Sequence, residues 1–225
     1  MHNPIIVALD VESAAEARAL VKTLGSSVSF YKVGLELYAA AGMDFVRELT
    51  GSGKDVFLDL KLYDIGETVK RAVRQIAQTD VRFLTIHTPL SVMNAAVEGG
   101  RGSPLQLLGV TVLTSFQQGD LADRGCSAPL ADVVSERVRK ALAAGLDGVV
   151  CSPQEAASVR REAGPKAIIV TPGVRSPGAG HGDQKRVATP AEAIRDGANY
   201  LVIGRQVTRA EDPAAEAQRI LEEIQ

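Results

Sequence analysis

Short β-branched and aliphatic runs alternate eight times with helix-spaced, charge-faced segments along 225 residues, and this beat limits the fold more than any other feature. Strands are predicted at Ile5 to Asp10, Val28 to Gly34, Asp55 to Leu62, Phe83 to Thr88, Leu105 to Thr114, Gly148 to Ser152, Ala167 to Val174 and Tyr200 to Gly204. Helices are predicted near 13–24, 38–50, 66–78, 91–98, 130–144, 154–163, 190–197 and 213–224. Boundary chemistry supports these ends: Ser13 can cap the first helix and Gly25 stop it, Gly51 and Gly53 close the second, and Ser152-Pro153 and Thr189-Pro190 open the sixth and seventh. Eight βα units close most simply as an α/β fold of the (β/α)8 TIM barrel type, read here as a single domain over residues 1–225. Each unit has about 28 residues, against about 31 in a typical barrel. A doubly wound open sheet would show a Gly-rich turn after its first strand, where this chain has Ala8-Leu9-Asp10.

Composition narrows the function. Lys and Arg number 25 against 27 Asp and Glu, a net charge of −2, which excludes a polybasic surface as the main theme. With 4% aromatic residues and no Trp, the core is expected to be aliphatic, and stacking platforms for single-stranded nucleic acid are not expected. Cys126 and Cys151 form neither a disulfide framework nor a metal-ligand cluster, which points to a reducing compartment. The N-terminus lacks a basic region and cleavage site, and the longest uncharged run, Ser103 to Gly119, holds Pro104 and three Gln. The expectation is a soluble cytoplasmic protein without a membrane or nucleic-acid partner.

In a barrel, alternate strand residues point inward and the C-terminal strand ends build the active site. Four charges fall at such ends: Asp10, Lys32, and Asp59 with Lys61 in the run Asp59-Leu60-Lys61-Leu62-Tyr63-Asp64-Ile65-Gly66. Asp59 and Lys61 share one face, opposite Leu58, Leu60 and Leu62. A pair alone could be a structural ion pair. Two carboxylates and two ammonium groups in one mouth cost several kcal/mol per ion in desolvation, which favours a chemical use.

A second signal lies across the barrel. Strand eight ends Ile203-Gly204-Arg205, where Gly204 permits close backbone approach and Arg205 offers a bidentate fork for phosphate. The stretch from Gly173 to Arg186 contains Arg175, four glycines and Gln184 and is long enough for a lid over an anion, with Arg175 and Gln184 as donors. Two look-alikes fail. Gly51-Ser52-Gly53-Lys54 lacks the first glycine and the final Ser or Thr of a P-loop, and the GxGxG within the long loop does not form a tight strand-to-helix turn.

These residues together resemble the orotidine 5′-phosphate decarboxylase family over essentially the whole chain. The resemblance rests on Ala8-Leu9-Asp10, Lys32-Val33-Gly34, the run from Asp59 to Thr68, Val112-Leu113-Thr114-Ser115, Thr171-Pro172-Gly173-Val174-Arg175, Asp183-Gln184 and Ile203-Gly204-Arg205. The third-strand run is the most specific of these. The resemblance implies a cofactor-free homodimeric barrel converting orotidine 5′-phosphate to UMP and CO2 in pyrimidine biosynthesis. It implies a charge network of Lys32, Asp59 and Lys61 completed by Asp64 of the partner subunit, with Lys61 protonating C6. Asp10 with Lys32 would hold the ribose, while Ile65 and Thr68 would reach across from the partner. Thr114 and Ser115 would meet the pyrimidine and Pro172 would line its pocket; Arg175, Gln184, Gly204 and Arg205 would grip the phosphate. No metal is implied.

One departure is visible: His87 is followed by Thr88-Pro89-Leu90 rather than the family's small-residue and glycine pattern, so a structural role is expected for it. Cys151 reads as packing, Cys126 as a loop thiol, and neither His2 nor His181 offers a metal site. The nearest alternative is a sugar-phosphate decarboxylase or aldolase of the same superfamily, which handles a metal-stabilised enediolate and tends to carry an acid where Lys32 stands. A non-catalytic phosphate-binding barrel would be expected to have lost one of the charges.

Overall fold

The computed structural model describes residues 3–123, 125–177 and 188–224. Eight strands close into a barrel in chain order, each parallel to its neighbours: β1 Ile5–Ala8, β2 Phe30–Gly34, β3 Asp55–Leu62, β4 Phe83–His87, β5 Gln106–Val110, β6 Gly148–Val150, β7 Ile168–Pro172 and β8 Tyr200–Ile203. β8 pairs back onto β1, with Ile5 opposite Leu201, so no edge strand is left. The helices are α1 Ala14–Leu24, α2 Leu35–Gly51, α3 Gly66–Ile76, α4 Leu90–Gly100, α5 Gln118–Ala122, α6 Leu130–Ala143, α7 Ala156–Ala163, α8 Pro190–Arg195, α9 Arg205–Thr208 and α10 Pro213–Ile224.

The caps follow the side chains. Ser13 Oγ accepts from Glu16 N at 3.2 Å, and Gly25 ends α1 at φ 53°. Thr189 and Glu192 form a capping box ahead of Pro190, and Ser152 with Glu155 does the same before α7. α5 and α9 were not predicted, because five- and four-residue helices are too short for an apolar period to register. Several strands stop short of their predicted ends, β1 at Ala8 and β5 at Val110. Apolar residues continue past the ladder there because Val112 and Leu113 line the mouth.

Two apolar layers follow from the strand period of two. Ile5 and Val7 face outward with Val33, Leu58 and Leu84, packing on helix residues such as Ala17, Val69 and Ile220. Ile6 and Ala8 face inward with Phe30, Phe57, Phe83, Leu108, Val170 and Tyr200. The core is mostly aliphatic in both layers, as expected, but the inner one also gathers rings that the low aromatic content did not suggest. Four rings fill the barrel floor: Phe83 lies 5.1 Å from Phe30, 6.0 Å from Phe57 and 5.2 Å from Tyr200, in tilted or edge-on geometry. Few side chains reach the axis of a small barrel, so bulky ones are concentrated there.

Arg82, just before β4, closes the floor. Its guanidinium lies 5.2 to 5.4 Å from the centroids of Phe30, Phe83 and Tyr200, donates to Asp55 Oδ2 at 2.8 Å and donates to the Tyr200 hydroxyl at 2.6 Å. Replacing Arg82 with Ala removes these contacts and leaves the Asp55 and Tyr200 oxygens without that donor. The expected loss is about 2 kcal/mol of unfolding free energy. Urea denaturation measures it; an unchanged midpoint would show that the floor does not depend on Arg82.

Candidate functional site

The opposite end of the barrel is built around a break in β3. Leu58 pairs with Leu84 and Leu62 with Ile86, so four steps on β3 match two on β4. Lys61 takes φ 49°, the one positive φ outside glycine among the described residues. A left-handed Lys costs about 1–2 kcal/mol. Thr85 compensates: its Oγ1 accepts from Lys61 N at 2.9 Å and donates to Asp59 Oδ1 at 2.9 Å. A bulge of this kind re-aims a side chain at the mouth of a barrel.

The charges meet as the strand ends predict. Asp59 Oδ2 accepts from Lys61 Nζ at 2.8 Å and lies 3.8 Å from Lys32 Nζ; Lys32 in turn donates to Asp10 Oδ1 at 2.7 Å. Asp10, Lys32, Asp59 and Lys61 thus form a continuous chain of alternating sign. The side chains of Asp59 and Lys32 are only 13% and 10% exposed. Burial pushes the Asp59 carboxyl up, but Lys32, Lys61 and the Lys61 and Thr85 hydrogen bonds outweigh it and hold the group below the usual carboxylate range. Gly34, at the end of β2, makes the crossing possible. A Cβ there would stand 2.8 Å from Lys32 Nζ and 3.1 Å from Asp10 Oδ1.

These residues line a cavity of about 530 Å³ whose other walls include Thr114, Ser115, Pro172, Arg175, Gly204 and Arg205. Arg175 and Arg205 converge: burial and then the charge of Arg205 lower the pKa of the Arg175 guanidinium. The base of the long loop is pinned where Val174 bridges Ala188 and Arg175 N donates to Ala188 O at 3.0 Å. Gln184 lies outside the described residues.

Asp64, Ile65 and Thr68 are exposed and do not line this cavity. Asp64 Oδ1 accepts from Ile65 N at 2.6 Å, fixing the turn into α3. Beside them stand large exposed apolar side chains, Leu35, Tyr63, Ile65 and Leu90, on the consecutive segments that follow β2, β3 and β4. His87 packs edge-on to the Tyr63 ring at 5.7 Å and does not line the cavity.

Sequence reasoning missed Thr85, Glu36, Thr208 and Arg209, the last three of which line the cavity. Thr85 had a readable signal, since it lies midway between Phe83 and His87 on the inward face of an otherwise apolar strand. Cys151, read as packing, is fully buried and also borders the cavity. Among the described residues no group of three His, Cys, Asp or Glu side chains could hold a metal ion, and no helix is long and apolar enough to cross a membrane.

Comparison with known proteins places this arrangement. Residues 3–220 match the model of the orotidine 5′-phosphate decarboxylase / HUMPS family. The orotidine 5′-phosphate decarboxylase of Afipia carboxidovorans is 50% identical over 220 residues, covering 98% of this chain and 94% of that one. That of Nitrobacter winogradskyi is 51% identical over 223 residues, covering 99% and 93%. The crystal structure of orotidine 5′-phosphate decarboxylase from Lactobacillus acidophilus superposes with a TM-score of 0.88 at 34% identity and covers 99% of both chains.

The depressed Asp59 carboxyl gives a stability prediction of fixed sign. Its folded pKa lies below its unfolded value of about 3.9, so the stability it contributes is fully present above that value and is lost as pH falls through the folded pKa. Glu48, Glu98, Glu136, Glu192 and Glu216 are depressed as well, so the test is a difference. Between pH 5 and pH 2, about the range in which carboxylates titrate, wild type should lose more unfolding free energy than Asp59→Asn. Parallel pH profiles in urea titrations would show that Asp59 is not held ionised by its lysines.

Proposed function

The chain belongs to the orotidine 5′-phosphate decarboxylase family, and from that premise we propose that it converts orotidine 5′-phosphate to UMP and CO2, acting as a carboxy-lyase in pyrimidine biosynthesis. The observation that carries this reading is the alternating chain Asp10–Lys32–Asp59–Lys61, largely buried at Lys32 and Asp59, which shares one cavity with two arginines. A phosphorylated nucleoside spans such a cavity, with its dianion at Arg175 and Arg205 and its base over Lys61. Thr114, Ser115 and Pro172 would contact the pyrimidine, while Asp10 and Lys32 would hold the ribose. Gly204 would let the phosphate approach the backbone, and Gln184 would join from the long loop.

The chemistry follows from the charges. Breaking the C6–carboxylate bond leaves the electron pair on C6, where no adjacent group delocalises it well, so fixed charge must carry the reaction. The Asp59 carboxylate crowds the substrate carboxylate; a like-charge pair at about 4 Å and an effective dielectric of 20 repels by about 4 kcal/mol before the lysines screen it. As CO2 leaves, Lys61 Nζ faces the developing carbanion, gives its proton to C6 and recovers one from solvent. Its left-handed backbone and its bond to Asp59 fix that ammonium before substrate arrives. Binding energy from the remote phosphate offsets the cost of bringing the substrate carboxylate beside Asp59. The step uses no cofactor in this reading.

We further propose a homodimer in which Asp64, Ile65 and Thr68 complete the site of the other subunit. Their exposure, their absence from the cavity of their own barrel, and the apolar side chains around them support this. Ile65 is 76% exposed and Tyr63 68%, an unusual state for large apolar groups on adjoining segments. The sugar-phosphate alternative in the same family is disfavoured by Lys32, which occupies the centre of the network.

Purified protein given orotidine 5′-phosphate and a chelator should form UMP, followed by loss of orotate absorbance. Lys61→Ala should lower kcat by several orders of magnitude while remaining folded, whereas Arg205→Ala should mainly raise KM. Near-normal turnover by Lys61→Ala would remove the proton-donor role. Mixing Lys61→Ala with Asp64→Ala subunits should restore part of the activity, because one of the two sites in a mixed dimer is intact. No recovery despite proven subunit exchange would refute the shared site.

A further inference from the structure

The two arginines of the phosphate wall come from segments far apart in sequence, and the residue after each is bonded to the other. Gln206 Oε1 accepts from Ser176 N at 3.2 Å, and Gln206 Nε2 donates to Ser176 Oγ at 2.8 Å. Both then reach α10: Gln206 Nε2 donates to Glu216 Oε1 at 2.8 Å, and Ser176 Oγ donates to Glu223 Oε2 at 2.6 Å. Arg219 closes the network, donating to both oxygens of Glu216 at 2.8 and 2.7 Å and lying 3.6 Å from Glu223. None of these five side chains lines the cavity.

Donor chemistry allows one arrangement. A carboxylate only accepts, so the amide NH2 of Gln206 must face Glu216, which leaves Oε1 for the Ser176 N–H. The Ser176 hydroxyl accepts from Gln206 and therefore gives its own proton to Glu223. Glu216 stays ionised because Arg219 holds its carboxyl low against the opposing effect of burial, with the Gln206 bond adding to the shift. Ser176 is buried, so breaking the set leaves polar groups stranded.

From this geometry we infer that Gln206 is a positioning residue: with Ser176 it ties the Arg175 and Arg205 segments to each other and to α10, and so pre-forms the grip on the substrate phosphate. The inference rests on the function proposed above. Arg175 and Arg205 line one cavity, and their like charges oppose each other's approach. A hydrogen-bonded tie between the adjoining residues opposes that repulsion and lowers the ordering cost when a dianion arrives.

The tie predicts a loss that depends on the phosphate. Gln206→Met, which keeps side-chain length without the amide, should lower kcat/KM for orotidine 5′-phosphate about tenfold and leave that for phosphate-free orotidine unchanged. UMP should bind about tenfold more weakly to this variant, with uridine binding unaltered. Ser176→Ala should act in the same direction, and the double variant should lose less than the product of the two single losses. Equal losses with both substrates, no loss with either, or fully multiplicative losses would each overturn the inference. If Gln206→Met fails to fold, Ser176→Ala decides alone. Wild-type protein that binds UMP but does not decarboxylate orotidine 5′-phosphate would refute the proposed function instead, and the comparison of UMP with uridine would still test the tie.

Discussion

A carboxylate as buried as Asp59 is tolerable only when surrounded by donors, and much of the barrel mouth answers that requirement. Lys61 bonds it directly, Lys32 stands 3.8 Å away, and Thr85 donates from the neighbouring strand. Each of these partners imposes a further condition. Lys61 reaches Asp59 from a bulged β3 in a left-handed conformation, Thr85 must replace an apolar residue on the inward face of β4, and Lys32 needs Gly34 to leave space beside it. Removing one member would strand the others at a cost of several kcal/mol, so they stand or fall together.

That interdependence explains why so much of the site could be read from the sequence. Charges at strand ends are conspicuous because a strand buried on both faces should be apolar, so Asp10, Lys32, Asp59 and Lys61 mark themselves. The period of two then predicts that Asp59 and Lys61 point inward, and the closed barrel brings them beside Lys32 and Asp10. Helix ends were legible wherever the capping group lies in the local chain, as at Ser13 and Thr189.

The rest was hidden for identifiable reasons. Thr85 and Gln206 are uncharged, and their importance comes from partners 26 and 30 residues away that no local pattern connects. The aromatic floor was masked by an average: a low overall aromatic content says nothing of rings concentrated at one height of a barrel. The bulge in β3 was invisible because apolar and charged residues still alternate in sequence through it, with Leu60 and Leu62 packed on the outer layer as a regular strand would place them.

The two ends of the barrel divide stability from chemistry. At the floor, Arg82 is paired with Asp55 and Tyr200 and covered by rings, so its charge is compensated by groups that remain in place. At the mouth, Lys61 holds a strained backbone, and Arg175 and Arg205 place two like charges on the wall of one cavity. A substrate carrying a phosphate and a carboxylate would meet these two sets of charges unequally. In the reaction proposed above, the phosphate would lie at the arginines, while the carboxylate would be brought beside Asp59 and destabilised until it departs as neutral CO2. On that proposal the same lysine that compensates Asp59 before binding would then face the carbanion, so that charge already fixed by folding would be redirected to the transition state instead of being assembled during the reaction.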